Sequence, residues 1–162
     1  MTTEIIEYIK YLKQQRYRSC IIHFDKFSVL SDYMKRCADK YSNEVSCFDI
    51  IEYFKDKNEL TLQLDSFNHL RFFELLTAIS KGKSVLIVVG MDLIFDTWDN
   101  DTKLKFYNIL KNGWDSFKEN YETVLIFCLM TTDDIKSLNI EDSNRNNKVK
   151  HLSEFKEIIW SD

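Results

Sequence analysis

Two stretches of the chain, residues 84–89 (SVLIVV) and 123–130 (TVLIFCLM), are apolar at every position after the first. A strand with one wet face alternates apolar and polar residues, because successive side chains point to opposite faces of the sheet. These two runs do not alternate, so each strand must be covered on both faces. Helical patterns fill the sequence between the apolar runs. Helices separating doubly buried strands predict a three-layer α/β sandwich with a mostly parallel sheet, since parallel neighbours need a crossover long enough to hold a helix.

The rest of the chain fits that alternation. Residues 4–15 place Ile5, Ile6, Ile9 and Leu12 on one helical face, with Thr2 or Thr3 positioned to cap it. Residues 19–24 (SCIIHF) are an apolar run of strand length. A helix is predicted from about Ser28 to Tyr41, with Leu30, Met34, Cys37 and Tyr41 at helical spacing, and a second strand at residues 45–50. The stretch 50–60 (IIEYFKDKNEL) reads either way. Residues 66–80 read as a helix with Phe67, Leu70, Phe73, Leu76 and Ile79 inward, capped by Ser66 or Asp65 and followed by Gly82. Residues 101–119 read as a helix with Leu104, Tyr107, Leu110, Trp114 and Phe117 inward and the Asn112-Gly113 pair as its point of interruption. A short helix at 132–138 and a polar exposed loop at 139–147 follow. The last strand is expected near Phe155–Ile159, with helix as the alternative.

Composition narrows the class. With 162 residues, 44% hydrophobic and 14% aromatic, there is material for the core of a single domain over residues 1–162, opening with an amphipathic helix in residues 1–17. A formal charge of -4 excludes a polybasic tail but not a local basic patch. Only Gly82, Gly90 and Gly113 are glycines, too few in any one loop for a glycine-rich phosphate cradle. Cys20, Cys37, Cys47 and Cys128 form no CxxC pair and read as buried reduced thiols. His23, His69 and His151 lie at no ligand-like spacing, so zinc is not expected. The N-terminus reads as neither signal peptide nor anchor, VLIVVGM is too short to span a bilayer, and the expected compartment is the cytoplasm.

In parallel sheets ligands bind beyond the carboxyl ends of the strands. After Phe24 comes Asp25-Lys26-Phe27-Ser28, without glycine, so the GxxxxGK[ST] phosphate loop is missing there. Lys81-Gly82-Lys83-Ser84 contains the letters GKS, but it precedes a strand, and Gly82 suits a helix end. After Val89, the aspartates Asp92, Asp96, Asp99 and Asp101 fall within ten residues. Asp92 and Asp96 are the candidate metal ligands. The plainer reading has Asp99 or Asp101 capping the helix that follows. Thr131-Thr132-Asp133-Asp134 could sense a phosphate or simply start a helix. No GxSxG nucleophile elbow exists, and His23 reads as a satisfied core histidine. Tyr8, Tyr11 and Tyr17 interleave Lys10, Lys13, Arg16 and Arg18, with a second basic group at Arg145, Lys148 and Lys150. Such a mixture can stack bases or grip a protein, and the net acidity favours the protein. Trp98 with Trp114 is the other candidate contact surface.

Residues Gly90-Met91-Asp92-Leu93-Ile94-Phe95-Asp96, between the strand SVLIVV and the helix around Leu104–Leu110, resemble the segment after the central strand in the small P-loop subunit of BREX-type bacterial phage-defence systems. The order of the other pieces is similar over most of the chain: a short strand and helix, DSFNHLRFFELLTAI, the central strand, TVLIFCLM, and a closing segment near HLSEFKEII. AAA+ and STAND-type P-loop folds share this outline. The resemblance implies a P-loop NTPase-like α/β fold. The chain departs from it at Asp25-Lys26-Phe27-Ser28, where the phosphate loop should stand, and at Val89, where an aspartate should end the central strand. Asp92 alone carries over. What this implies is a P-loop-like protein lacking the phosphate-binding loop, with no catalytic residue, no cofactor and background ATPase activity. Its expected role is to bind a protein partner within a bacterial anti-phage defence complex. A metal-dependent phosphodiesterase or nuclease built on Asp92–Asp101, and a DNA-binding module built on the basic clusters, stand as alternatives. The reading requires the first strand and strand 84–89 to be neighbours in the sheet.

Overall fold

The computed structural model describes residues 3–55, 67–113 and 122–158. A five-stranded, all-parallel sheet in the order β2-β3-β4-β1-β5 forms its middle layer. The strands are β1 (Ser19–Phe24), β2 (Val45–Asp49), β3 (Val85–Val89), β4 (Val124–Met130) and β5 (Val149–His151). β1 and β3 are buried throughout, and β4 everywhere but its last residue. Helices α1 (Ile5–Lys13) and α2 (Phe27–Lys40) cover one face. Helices α3 (Ile50–Lys55), α4 (His69–Ile79), α5 (Asp92–Phe95), α6 (Asn100–Asn112) and α7 (Asp133–Ser137) cover the other. The fold is thus the three-layer α/β sandwich that the unbroken apolar runs require. Among the described residues no helix is long and apolar enough to cross a membrane.

Alternate residues of each strand feed two cores. Ile22, Ile87, Val89 and Cys128 face α1 and α2 and meet Ile9, Leu12, Leu30 and Met34. Ile21, Leu86, Val88 and Phe127 face the second helical layer, which is strongly aromatic. There Phe106 meets Phe127 edge-to-face at 5.2 Å and stacks on Phe73 at 5.8 Å. Trp98 is buried beside them, its Nε1–H donating to the Phe67 carbonyl at 2.7 Å.

That aromatic core sets the phase of two helices differently from the sequence expectation. In α4 Leu70 is 49% exposed and Phe72 is buried instead; in α6 Leu104 is 59% exposed and Phe106 is buried instead. Both sequences carry spare apolar residues and so allow two phases, and packing selects the one that stacks phenylalanines. α4 is capped by Asn68, whose Oδ1 accepts from Arg71 N–H at 3.0 Å; Asp65 and Ser66 lie outside the described residues. α6 stops at Gly113, whose φ of +80° favours glycine, while Trp114 and Phe117 fall outside the described residues. α3 ends at Lys55, and residues 56–60 of the ambiguous stretch are likewise outside them. The N-cap of α1 is Glu4, without a side-chain cap bond, in place of Thr2 or Thr3.

Two further expectations need correction. The last strand is β5, six residues earlier than Phe155. A 3₁₀ turn follows it at Leu152–Glu154, and Phe155 forms only an isolated bridge with Thr3. β5 pairs on one side only, with β1, and its short Val-Lys-His sequence carries no apolar signature. The 139–147 segment is the expected largely exposed loop, but it is anchored: Ile140 is buried, Asn147 Oδ1 accepts from the N–H of Ile140 and of Val149, and Asp142 accepts from the Tyr11 hydroxyl. Cys47, on the outer strand β2, is exposed; the other three thiols are buried.

β1 and β3 are not neighbours. β4 is inserted between them and pairs with both. The loops after β1 and β3 therefore leave strands that do not pair, with the end of β4 between them.

Candidate functional site

The chain leaves β1 for α2 on one face and leaves neighbouring β4 for α7 on the other. Diverging crossovers of this kind open a crevice outside the carboxyl ends of the two strands. Here the exits are tied together, Thr131 N–H donating to the Phe24 carbonyl at 2.8 Å. His23 Nδ1 lies 2.8 Å from Thr131 Oγ1, and both Thr131 and His151 hydrogen-bond the Asp25 carboxylate, His151 through Nε2 at 3.3 Å. His151 Nδ1 accepts from Ser153 N–H at 3.0 Å, so its proton sits on Nε2 and points at Asp25. His23 Nδ1 and Thr131 Oγ1 thus share one hydrogen bond between β1 and the end of β4. The result is a polar relay, His23–Thr131–Asp25–His151, across the ends of β4, β1 and β5.

The electrostatics of the relay describe a fastening more than a reacting centre. The bonds from His151 and Thr131 hold the Asp25 carboxyl below its usual range. Burial, reinforced by the His151 ring 4.9 Å away, pushes His23 down as well. A general base acting on the Thr131 hydroxyl would need a pKa near neutral, and Asp25 is moved away from it. Beside the relay runs a groove of about 670 Å³ between α2 and the turn after β5, floored by Phe24, Val29, Tyr33, Leu152 and Phe155 and edged by Asp25 and Lys26.

The four aspartates after β3 have separate tasks. Asp92 is half-buried, and its Oδ1 accepts from Met130 N–H at 3.0 Å, joining the ends of β3 and β4. Burial pushes its carboxyl up. Asp99 is the N-cap of α6, accepting from Thr102 N–H at 2.8 Å, and Asp101 pairs with Lys105 at 3.0 Å. Asp96 is exposed. Among the described residues no group of three or more His, Cys, Asp or Glu is placed to hold a metal ion.

The tyrosines of the N-terminal segment are engaged within the chain. Tyr8 stands 5.5 Å from the Phe155 ring, and burial raises its pKa. Tyr11 bonds Asp142, and Tyr17 lies under the Arg16 guanidinium and against Gly113. Arg18 donates to the Glu122 carbonyl at 3.0 Å, Lys13 pairs with Glu44, and Lys148 of the second basic group is buried. The basic clusters thus contribute much of their charge to internal contacts. Trp98 is in the core.

One arrangement was not anticipated. The exposed large apolar residues among the described ones are Phe27, Val29, Ile51, Leu70, Leu93, Leu104 and Met130. By element order all seven end strands or open helices on the carboxyl side of the sheet, on both of its helical layers. Phe27 and Val29 follow β1, Ile51 follows β2, Leu93 follows β3 and Met130 ends β4, while Leu70 and Leu104 lie in the first two turns of helices that leave the same edge. The strand ends there are also acidic: Asp25 behind β1, Asp49 and Glu52 at β2, Asp92 and Asp96 behind β3, and Asp133 and Asp134 behind β4, against Lys26 and Lys136. Each of these apolar residues reads, in sequence, as an ordinary member of a helical or strand pattern. Only their exposure distinguishes them. The sole signal available beforehand was position, at the ends of apolar runs where ligands are expected. No protein-family model, no curated protein and no solved structure matches the chain.

Proposed function

We propose that the protein is a non-catalytic accessory subunit that docks another protein on the carboxyl edge of its sheet. The concentration of exposed apolar side chains at that edge supports this reading, because single apolar residues scattered over a surface are ordinary whereas a cluster marks a contact site. The relay and the capping roles of the nearby aspartates fit a rigid platform. Membership of a bacterial anti-phage defence complex rests on the sequence resemblance to the BREX-type subunit alone. A metal-dependent nuclease has less to stand on, since Asp99 caps α6 and Asp101 pairs with Lys105.

The test is paired co-purification of the tagged wild type and the Leu93→Ser/Met130→Ser variant from cells carrying the neighbouring genes. Both changes are at exposed positions, so the fold should survive, as circular dichroism will verify. The expected result is a protein that follows the wild type and is lost from the variant. Equal recovery of the same proteins by both would refute docking at this edge.

A further inference from the structure

We infer that a polar cavity at the amino edge of the sheet binds a phosphate group, either free phosphate or that of a small phosphomonoester. The cavity stands at the opposite edge of the sheet from the docking surface. It has a volume of about 300 Å³ and lies between the residues that follow α1, the end of α6 and the loop ahead of β5. That size is at the lower end for organic-ligand sites and suits a phosphate carrying at most a few carbons. Gln15, Arg16, Lys111, Asn112, Ser143 and Lys148 line it.

Two of these side chains are buried and incompletely served. Gln15 is 7% exposed; its Oε1 accepts from Ser143 N–H at 3.2 Å, while its Nε2 has no hydrogen-bond partner among the described residues. Buried amide donors are nearly always satisfied, so this one calls for an acceptor in the cavity. Lys148 donates to the Leu110 and Tyr17 carbonyls and to the Ser19 hydroxyl, which uses its three protons. Yet no carboxylate lies within ion-pair distance of the ammonium among the described residues. A buried charge of that kind is costly without a counter-ion, and an anion in the cavity supplies one.

Charge selects the class of ligand. Arg16 and Lys111 are exposed and carry no ion pair among the described residues. With Lys148 they set three cations against the two carboxylates that line the cavity, Glu141 and Asp142. Asp142 is committed to its own loop and to α1, accepting from the N–H groups of Asn144 and Asn146 and from the Tyr11 hydroxyl. The carbonyl end of α6 would repel an anion, but Lys148 donates to the Leu110 carbonyl there and offsets it. The Arg16 guanidinium, the Lys111 ammonium and the Gln15 and Asn112 amides offer more N–H donors than the two oxygens of a carboxylate can use. A phosphate has both the oxygens and the charge to match them.

The probes are inorganic phosphate, glycerol phosphate and acetate, each titrated calorimetrically into the whole chain against sodium chloride at equal ionic strength and pH. The expected result is saturable binding of phosphate or glycerol phosphate, accompanied by a rise in the unfolding midpoint as their concentration rises. Affinity should fall at least about tenfold in Arg16→Ala/Lys111→Ala, where both changes are at exposed positions. Gln15→Glu keeps the acceptor for Ser143 N–H and puts a carboxylate oxygen where the free amide donor stands, so it should abolish binding. Lys35→Ala/Lys83→Ala removes the same charge from exposed positions outside the cavity and should bind as the wild type does. Tighter binding of glycerol phosphate assigns the site to a phosphomonoester, and equal or weaker binding assigns it to free phosphate; either supports the site. Acetate binding as tightly as phosphate overturns the phosphate assignment. No binding beyond that of chloride, or equal affinity in the wild type and Arg16→Ala/Lys111→Ala, overturns the site itself.

Discussion

Lys148, just ahead of β5, is 2% exposed, and its ammonium reaches three oxygens: the Leu110 carbonyl at 2.5 Å, the Ser19 hydroxyl at 3.3 Å and the Tyr17 carbonyl at 3.4 Å. It thereby closes the C-terminal end of α6 against the starts of β1 and β5. No carboxylate lies within ion-pair distance among the described residues, and burial pushes its pKa down from 10.5 to about 8. A shift of that size corresponds to roughly 3 kcal/mol. The folded value lies below the unfolded one, so the unfolded chain holds the proton more tightly. Stability from this group is therefore complete above about pH 10.5 and is lost as pH falls through about 8. Buried thiols act in the opposite sense over the same window. Burial pushes Cys20 up to about 12, so the unfolded thiol ionises first and stability falls with rising pH. The total pH curve therefore mixes the two, and a difference curve separates them. Urea unfolding of the wild type and of Lys148→Met should be compared at about pH 7.5 and about pH 10, both in a Cys20→Ala background because the two groups are coupled. The wild type should gain roughly 2–3 kcal/mol relative to the variant between these two points. A difference constant to within about 0.5 kcal/mol would show that Lys148 does not titrate as a buried amine.

Other consequences are simpler. Phe106→Ala, at a fully buried ring against Phe73, Trp98 and Phe127, should lower unfolding stability by about 3–5 kcal/mol, and a loss below about 1 kcal/mol would disprove the aromatic core. Asp99→Ala should cost about 1 kcal/mol as a lost cap, equally in EDTA and in magnesium; a loss seen only with the metal present would mean that Asp99 is a ligand. Gly113→Ala should destabilise more than Gly82→Ala. Both glycines have positive φ, but a Cβ at 113 would lie 2.1 Å from Tyr17 Cε1 whereas one at 82 meets nothing within 4 Å, so equal thermal shifts would remove the claimed contact.

The layered architecture was legible because burial on both faces leaves a direct trace in composition. β3 and β4 can be read from VLIVV and VLIFCLM, and α2 from Leu30, Met34 and Cys37, all three buried. What escaped has identifiable causes. The phases of α4 and α6 depend on which of several apolar residues reaches the aromatic core, and Phe72 and Phe106 prevail over Leu70 and Leu104 by ring packing that spacing alone does not encode. β5 hides because a three-residue outer strand needs no apolar pattern, and because the adjoining Lys148 looks like surface while being buried. His23 is legible as a nearly buried histidine but not as a partner of Thr131, since the two meet through strand pairing across 108 residues of sequence.

The order of the strands is the deepest of these hidden facts, and it works in two directions. With β4 between β1 and β3, the loops at Asp25 and Asp92 leave strands that do not pair. The same insertion sets the end of β4, where Met130 is exposed, between the ends of β3 and β1. Local patterns determine which residues reach the carboxyl edge. Non-local pairing, through contacts such as Val88 with Phe127 and Phe24 with Met130, determines which strand ends stand side by side there.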